Sequence, residues 1–333
     1  MKILIIRFSS IGDIVLTSPI LRCLRNQYPQ AVIHFVTKPQ FSSLLVNNPN
    51  IDHTHLLENG MLALGSKLRK EKYDLIIDLH KSLRSFMLKL FCNSAEAYSF
   101  DKLNFEKWLL VNLRINRLPK IHIVDRYFEG VKDLEVKNDG LGLDFFISDK
   151  DFYDVQFHGI QENEYIVWVL GALQKTKQMP LPKIIKTLML ESLSQQKIML
   201  VGGKEEIAIA EEILRNINNP NVVSAVGKTT IGQSAYIISK SQCVITNDTG
   251  MMHIAAALKK PIVSLWGNTI PEFGMYPYYG QAAIKNSIVE VKDLGCRPCS
   301  KLGYSQCPKG HFKCMNDIDV AEIQESVLRI INA

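Results

Sequence analysis

The sequence predicts an α/β chain built as two Rossmann-like halves, and three observations carry that reading. Short apolar, β-branched runs alternate with segments whose apolar residues recur at helical spacing, from residue 2 to residue 266. The alternation lapses over residues 135–164, a mixed polar stretch containing glycines. The 333 residues also suit two domains of ordinary size, each able to bury its own core. Alternation of this kind implies parallel sheets with helices on both faces, and ligands of such sheets bind beyond the carboxyl ends of the strands. The expected layout is one domain over 1–150 and a second over 151–333, facing across a cleft.

In the first half, residues 2–8 form a strand and 9–13 a turn, and Ile14, Leu16, Ile20, Leu21 and Leu24 then follow at helical spacing. Further strands are expected at 31–37, 54–57, 73–79 and 95–100, with helices at 41–46, 61–70, 83–91, 105–113 and 121–134. In the second half, strands are expected at 165–170, 197–201, 222–225, 242–246 and 261–266. Helices are expected at 181–194, 205–216 and 231–239, with another after the turn at 247–253, where Ala255, Ala256 and Ala257 favour helix and Pro261 supplies a stop. A Cys-rich loop, 296–314, precedes a last helix at 320–331.

Composition narrows the class. With 47% apolar and 22% charged residues the chain is globular, not disordered. A net charge of +6 is too diffuse to argue for nucleic acid, but favours phosphorylated ligands or an anionic membrane surface. No apolar run reaches the roughly 18 residues of a membrane span. Arg7 and Asp13 interrupt the apolar opening, which therefore resembles a signal peptide only briefly. A cytoplasmic protein able to work at the inner membrane surface is expected.

Several stretches carry candidate chemistry, most of them at an expected strand end. In the turn Arg7-Phe8-Ser9-Ser10-Ile11-Gly12-Asp13, Ser10 and Asp13 have capping-box spacing. The same Asp13 could act as a general base on a sugar hydroxyl, with Gly12 giving that hydroxyl room. Neither the Gly-x-Gly-x-x-Gly nor the Walker pattern is present. In Asn247-Asp248-Thr249-Gly250-Met251-Met252-His253, a strand delivers the chain to a helix start, where free amides and the helix dipole can cradle phosphate. Asp248 or Thr249 can cap that helix, and His253 lies about one turn in. In the loop 171–180, Thr176 and Lys177 can hold a diphosphate leaving group, or simply form a solvated basic loop. After Gly202-Gly203, Glu205 could accept hydrogen bonds from ribose hydroxyls, although acids at helix starts are common for dipole reasons alone. Lys81, Arg84 and Arg126 suit an acceptor bearing carboxylates or phosphates.

Taken together, residues 7–15 with Pro19, Thr176-Lys177-x-x-Pro180, and residues 248–257 resemble the ADP-heptose:lipopolysaccharide heptosyltransferases, glycosyltransferase family 9. The likeness runs in order from residue 1 to about residue 325. It implies a GT-B fold, an inverting reaction and no required metal. The donor, an ADP-activated heptose, would bind the C-terminal half, and the lipopolysaccharide inner-core acceptor the N-terminal half. By motif, Asp13 resembles the catalytic base and Lys177 the pyrophosphate-binding Lys, with Asp248, Thr249, Gly250 and His253 in the donor segment. Ser10, Gly12, Lys81, Arg84 and Arg126 fall on the acceptor side. Met179 departs from the aromatic residue that many members carry before the Pro.

Cys296, Cys299, Cys307 and Cys314, with His311 among them, form a candidate structural zinc site; reduced packing and a disulfide are the alternatives. Two further functional readings stand beside the heptosyltransferase: a same-fold transferase of another nucleotide-sugar for a different envelope glycan, and a non-catalytic binder of phosphorylated ligands.

Overall fold

The computed structural model describes residues 1–332. It contains β1 (Lys2–Ile6), α1 (Ile11–Val15), α2 (Ser18–Gln27), β2 (Val32–Thr37), β3 (His53–Leu56), α3 (Gly60–Arg69), β4 (Leu75–Asp78), α4 (Leu83–Cys92) and β5 (Glu96–Ser99). Next come α5 (Asn104–Leu113), α6 (Ile123–Glu129), β6 (Tyr165–Val169), α7 (Leu181–Leu188), α8 (Glu191–Ser194), β7 (Lys197–Val201), α9 (Ile207–Ile217), β8 (Val222–Ser224) and α10 (Ile231–Ser239). The chain ends with β9 (Cys243–Asn247), α11 (Gly250–Ala257), β10 (Ile262–Trp266), β11 (Asn286–Glu290), α12 (Lys313–Asn316) and α13 (Val320–Ile331).

Two compact units result. The first comprises Met1–Leu103, Ile121–Phe146 and Gly280–Ala282; the second comprises Asn104–Lys120, Ile147–Tyr279 and the chain from Ala283 onward. The first holds a five-stranded sheet ordered β3-β2-β1-β4-β5, and the second a six-stranded sheet ordered β11-β10-β9-β6-β7-β8. Every strand pairing is parallel. The central strands β1, β4, β6, β9 and β10 are near-continuous apolar runs because helices cover both faces. In the first unit Leu4, Ile6, Ile76, Leu64, Leu68 and Leu88 pack as one core. In the second, Ile166, Trp168, Ile245 and Leu265 meet Ile184, Ile213 and Ile323.

Several expected elements differ in extent. The helix expected after the first turn is two, with Thr17 as the N-cap of the second and Pro19 in its first turn, because proline has no N–H to continue a helix. The segment expected as helix at 41–46 is a 3₁₀ turn over Pro39–Leu44. The expected helix 181–194 breaks where Leu190 is extended (ψ 134°). The helix expected at 121–134 stops at Glu129, before Gly130. There an added Cβ would lie 2.7 Å from Phe100 Cα, so backbone approaches backbone. The edge strand β11 had no expected counterpart, since only Ile288 and Val289 in it are apolar.

Candidate active site

In the first unit, β1 delivers the chain to the turn that opens α1. Ser10 is extended, and both its backbone N–H (3.0 Å) and its hydroxyl (2.8 Å) donate to Asp13 Oδ2. The capping role is thus real, but it occupies one oxygen only. Asp13 Oδ1 is ion-paired with Arg7 Nη2. Arg7 is itself buried and held on several sides: Nε donates to Ser9 O (2.9 Å), Nη1 to Leu79 O and to the Tyr127 hydroxyl (3.3 Å). Burial would raise the Asp13 carboxyl, but the Arg7 charge and the Ser10 hydrogen bonds outweigh it and hold the group below the usual carboxylate range. Asp13 is therefore ionised near neutrality, and its side chain keeps 20% of its surface open.

The loop after β4 lies beside this turn. The buried carboxylate of Asp78 accepts from the amides of His80 (3.0 Å) and Lys81 (2.7 Å), and the His80 ring packs edge-on against Phe8 with centroids 4.8 Å apart. Burial first, then Arg7 and Lys102, push His80 down to about 4, so it is neutral at working pH. Ser82 caps α4, whose first turn carries the exposed Arg84. Lys81 reaches to 3.9 Å from Asp101. Arg126, on α6, is buried instead; burial lowers its guanidinium, opposed by Tyr127, Asp101 and Glu129. Gly12 is buried within α1. Ser10 and Asp13 are thus joined directly, Lys81 in the loop and Arg84 in the first turn of α4 stand on either side of the Ser82 cap, and Arg126 stands in the fold interior.

In the second unit two motifs 71 residues apart meet. Lys177 Nζ lies 2.6 Å from Asp248 Oδ2, and the same oxygen accepts from the Thr269 hydroxyl at 2.7 Å. Asp248 ends the β9 segment and does not cap α11. Thr249 occupies the cap position in extended conformation without a side-chain cap bond. Thr249 and Gly250 remain partly open at the start of α11, whereas His253 is buried at 2% exposure. The buried Asn247 side chain ties the ends together, accepting from Met179 N (3.2 Å) and donating to Leu170 O (3.0 Å).

Thr176 is buried, and its hydroxyl exchanges two hydrogen bonds with the Tyr304 backbone, donating at 3.0 Å and accepting at 2.8 Å. It fastens the Lys177 loop to the Cys-rich segment. Glu205 is exposed, and its neighbour Glu206 is buried, accepting from Gly203 N–H at 2.8 Å. A Cβ on Gly171 would sit 2.6 Å from the Glu206 carboxyl carbon, so that glycine is what lets the carboxylate into the loop.

The cysteines do not assemble as a metal site. Among the described residues, no group of three or more His, Cys, Asp or Glu is arranged to hold an ion, and all seven cysteines are free thiols. The reason is packing. Cys314 enters the second hydrophobic core, and the Cys299 thiol donates to Cys296 O at 2.9 Å. Burial pushes these two thiols up, to about 12 and about 11. Cys296 Sγ lies 3.8 Å from His311 Nε2, and it joins Cys307 in the upward push on the Cys299 thiol. Among the described residues no helix is long and apolar enough to cross a membrane.

Four residues in these arrangements had no role assigned from sequence: Arg7, Asn247, Glu206 and Thr269. Arg7 and Asn247 stand inside the motifs. Glu206, third after Gly203, has capping-box spacing, and nothing local marks Thr269.

The geometry agrees with what the chain is similar to. Lipooligosaccharide heptosyltransferase 2 of Haemophilus ducreyi is 28% identical, with 99% of each chain covered. Lipopolysaccharide heptosyltransferase 2 of Salmonella typhimurium is 26% identical over 82% of this chain and 84% of its own. The solved structure of the Escherichia coli ADP-heptose lps heptosyltransferase II superposes with a TM-score of 0.74 at 23% identity, covering 99% of this chain and 98% of that one, so the fold is the GT-B fold of these enzymes. The family profile "Glycosyltransferase family 9 (heptosyltransferase)" matches residues 61–306, and the chain belongs to that family of glycosyltransferases.

Proposed function

We propose that this enzyme transfers heptose from ADP-heptose to the inner core of a lipopolysaccharide acceptor, with inversion and without a required metal, at the cytoplasmic face of the inner membrane. The supporting observation is the Lys177–Asp248 pair, which gathers the two donor motifs at the carboxyl ends of β6 and β9 beside the partly exposed Thr249 and Gly250 at the start of α11. Lys177 there neutralises charge gathering on the departing diphosphate, and Asp248 with Thr269 fixes where that ammonium stands. Thr249 and Gly250 supply amides to the phosphates, and His253 braces the helix from within. Thr176 acts through the loop it anchors, and Glu205 or Glu206 faces the ribose.

Asp13 is the base. A carboxylate held low is a weak proton acceptor at rest, but the acceptor hydroxyl becomes strongly acidic as it bonds to the sugar carbon, and the proton then moves to Asp13. Ser10 and Arg7 hold the carboxylate in place for that step. The exposed Lys81 and Arg84 serve the acceptor, whose phosphates suit the cations, while the buried Gly12 and Arg126 act through the elements they hold.

Incubation with ADP-heptose and truncated lipopolysaccharide acceptors tests this. The product should gain the mass of one heptose and release ADP, and other nucleotide-sugars should compete poorly. Transfer from another nucleotide-sugar in preference to ADP-heptose would overturn the donor assignment.

A further inference from the structure

We propose that the outward face of α4, with the adjoining flank of α3, is the surface by which this enzyme docks on an anionic phospholipid bilayer. Helix α4 already has its inward face: Ser85, Leu88 and Cys92 are buried against the sheet. Its outward face is apolar as well. Leu83, Phe86, Met87 and Leu90 stand at i, i+3, i+4 and i+7, one stripe, and are 77%, 52%, 39% and 65% exposed. A helix at a water-facing surface normally turns polar residues outward, and single exposed apolar residues need no explanation. A full stripe does. Beside it Leu62 of α3 is 70% exposed. The two helices lie flank to flank, since a Cβ on Gly65 would come within 2.7 Å of the Phe91 ring.

Charge selects the occupant. Residues 60–92 hold seven Lys and Arg against three acids, and neither α3 nor α4 contains an acid. Two of the three acids are engaged elsewhere: Glu71 pairs with Lys2 at 2.8 Å and Asp74 accepts the Lys2 amide at 2.7 Å, while the buried Asp78 lies 3.5 Å from the Lys89 ammonium. Lys67 and Arg69 end α3 and Arg84 flanks the stripe, all three exposed, while Lys89, 5.8 Å from the Phe86 ring centre, is half-buried and already paired with Asp78. An apolar stripe edged by cations matches a headgroup layer, where hydrocarbon takes the stripe and phosphates take the cations. A second copy of this face would set Arg84 against its own image.

The stripe starts at Leu83, directly after the loop carrying Lys81, so docking would bring that loop to a glycolipid's headgroup. For this purpose, though not for the docking itself, the inference rests on the acceptor assignment above.

The test uses the full chain and phosphatidylethanolamine–phosphatidylglycerol vesicles, against pure phosphatidylcholine vesicles, in a flotation assay. Binding should favour the anionic vesicles by about tenfold and weaken with salt. Replacing Leu83→Ser, Phe86→Ser and Leu90→Ser together should lower it by about tenfold or more. Transfer to a delipidated, water-soluble acceptor should stay at the wild-type rate in that variant, and transfer to vesicle-borne acceptor should fall. If the triple variant does not fold by circular dichroism, Leu83→Glu alone carries the test. Wild-type protein that ignores anionic vesicles, stripe variants that bind like wild type, or a wild-type dimer that the substitutions split would each overturn the proposal. The vesicle measurement needs no sugar transfer, so a wrong donor or acceptor assignment leaves it readable.

Discussion

The Lys177 ammonium stands 2.6 Å from a carboxylate oxygen of Asp248, and the Thr269 hydroxyl bonds the same oxygen. A lysine carries its charge on a flexible stem, so its usefulness to a departing diphosphate depends on where that stem is held. Lys177→Ala should lower kcat/KM by about 100-fold or more, with some loss of melting temperature because its side chain is 17% exposed and its removal leaves the buried Asp248 carboxylate without its cation. Asp248→Asn should cost less, because the amide still accepts from both partners. If steady-state kinetics show Lys177→Ala close to wild type, the leaving-group role is lost.

Asp13 should titrate visibly. Arg7 and Ser10 hold its carboxyl low, so the acid limb of the kcat/KM profile lies below the usual carboxylate range. Removing the charge in Arg7→Gln should raise that carboxyl and move the acid limb to higher pH by about one unit or more. Asp13→Asn should reduce turnover at least ~100-fold while ADP-heptose still binds by calorimetry. An acid limb that Arg7→Gln leaves in place would assign it to some other group.

A buried histidine cluster should make the fold acid-sensitive. His34 Nδ1, His55 Nε2 and the Tyr73 hydroxyl lie 2.8–3.3 Å apart, and all three side chains are buried. Burial first, then His34 and Lys67, push His55 down to about 4. The unfolded chain takes up this proton near pH 6.5, whereas the folded chain resists until about pH 4. Stability therefore falls as pH drops through that window, by on the order of 3 kcal/mol from this group. Urea titrations at pH 7.5 and pH 5 should show the loss, and His55→Gln should flatten part of it.

Gly130 should tolerate no side chain. Its φ of −67° suits any residue, so the conflict is steric: an added Cβ would meet Phe100 Cα at 2.7 Å and Phe100 N at 2.9 Å. Backbone atoms cannot turn aside as a side chain can. Gly130→Ala should cost roughly 1–3 kcal/mol, read as a lower urea midpoint with an unchanged slope.

Local pattern by itself determined the alternation of strands and helices, the motif turns at strand ends, and through them the likeness to family 9. These features live in stretches of five to ten residues, where apolar period and turn chemistry act without distant partners. Tertiary structure decided the rest. It alone joined Lys177 to Asp248, held Arg7 against Asp13 by bonds to Leu79 and Tyr127, and passed the buried capping position to Glu206 and not Glu205. It also took Cys314 into the second hydrophobic core. Ion pairs and core packing depend on which distant segments the sheet order brings side by side, and spacing along a chain carries no record of that.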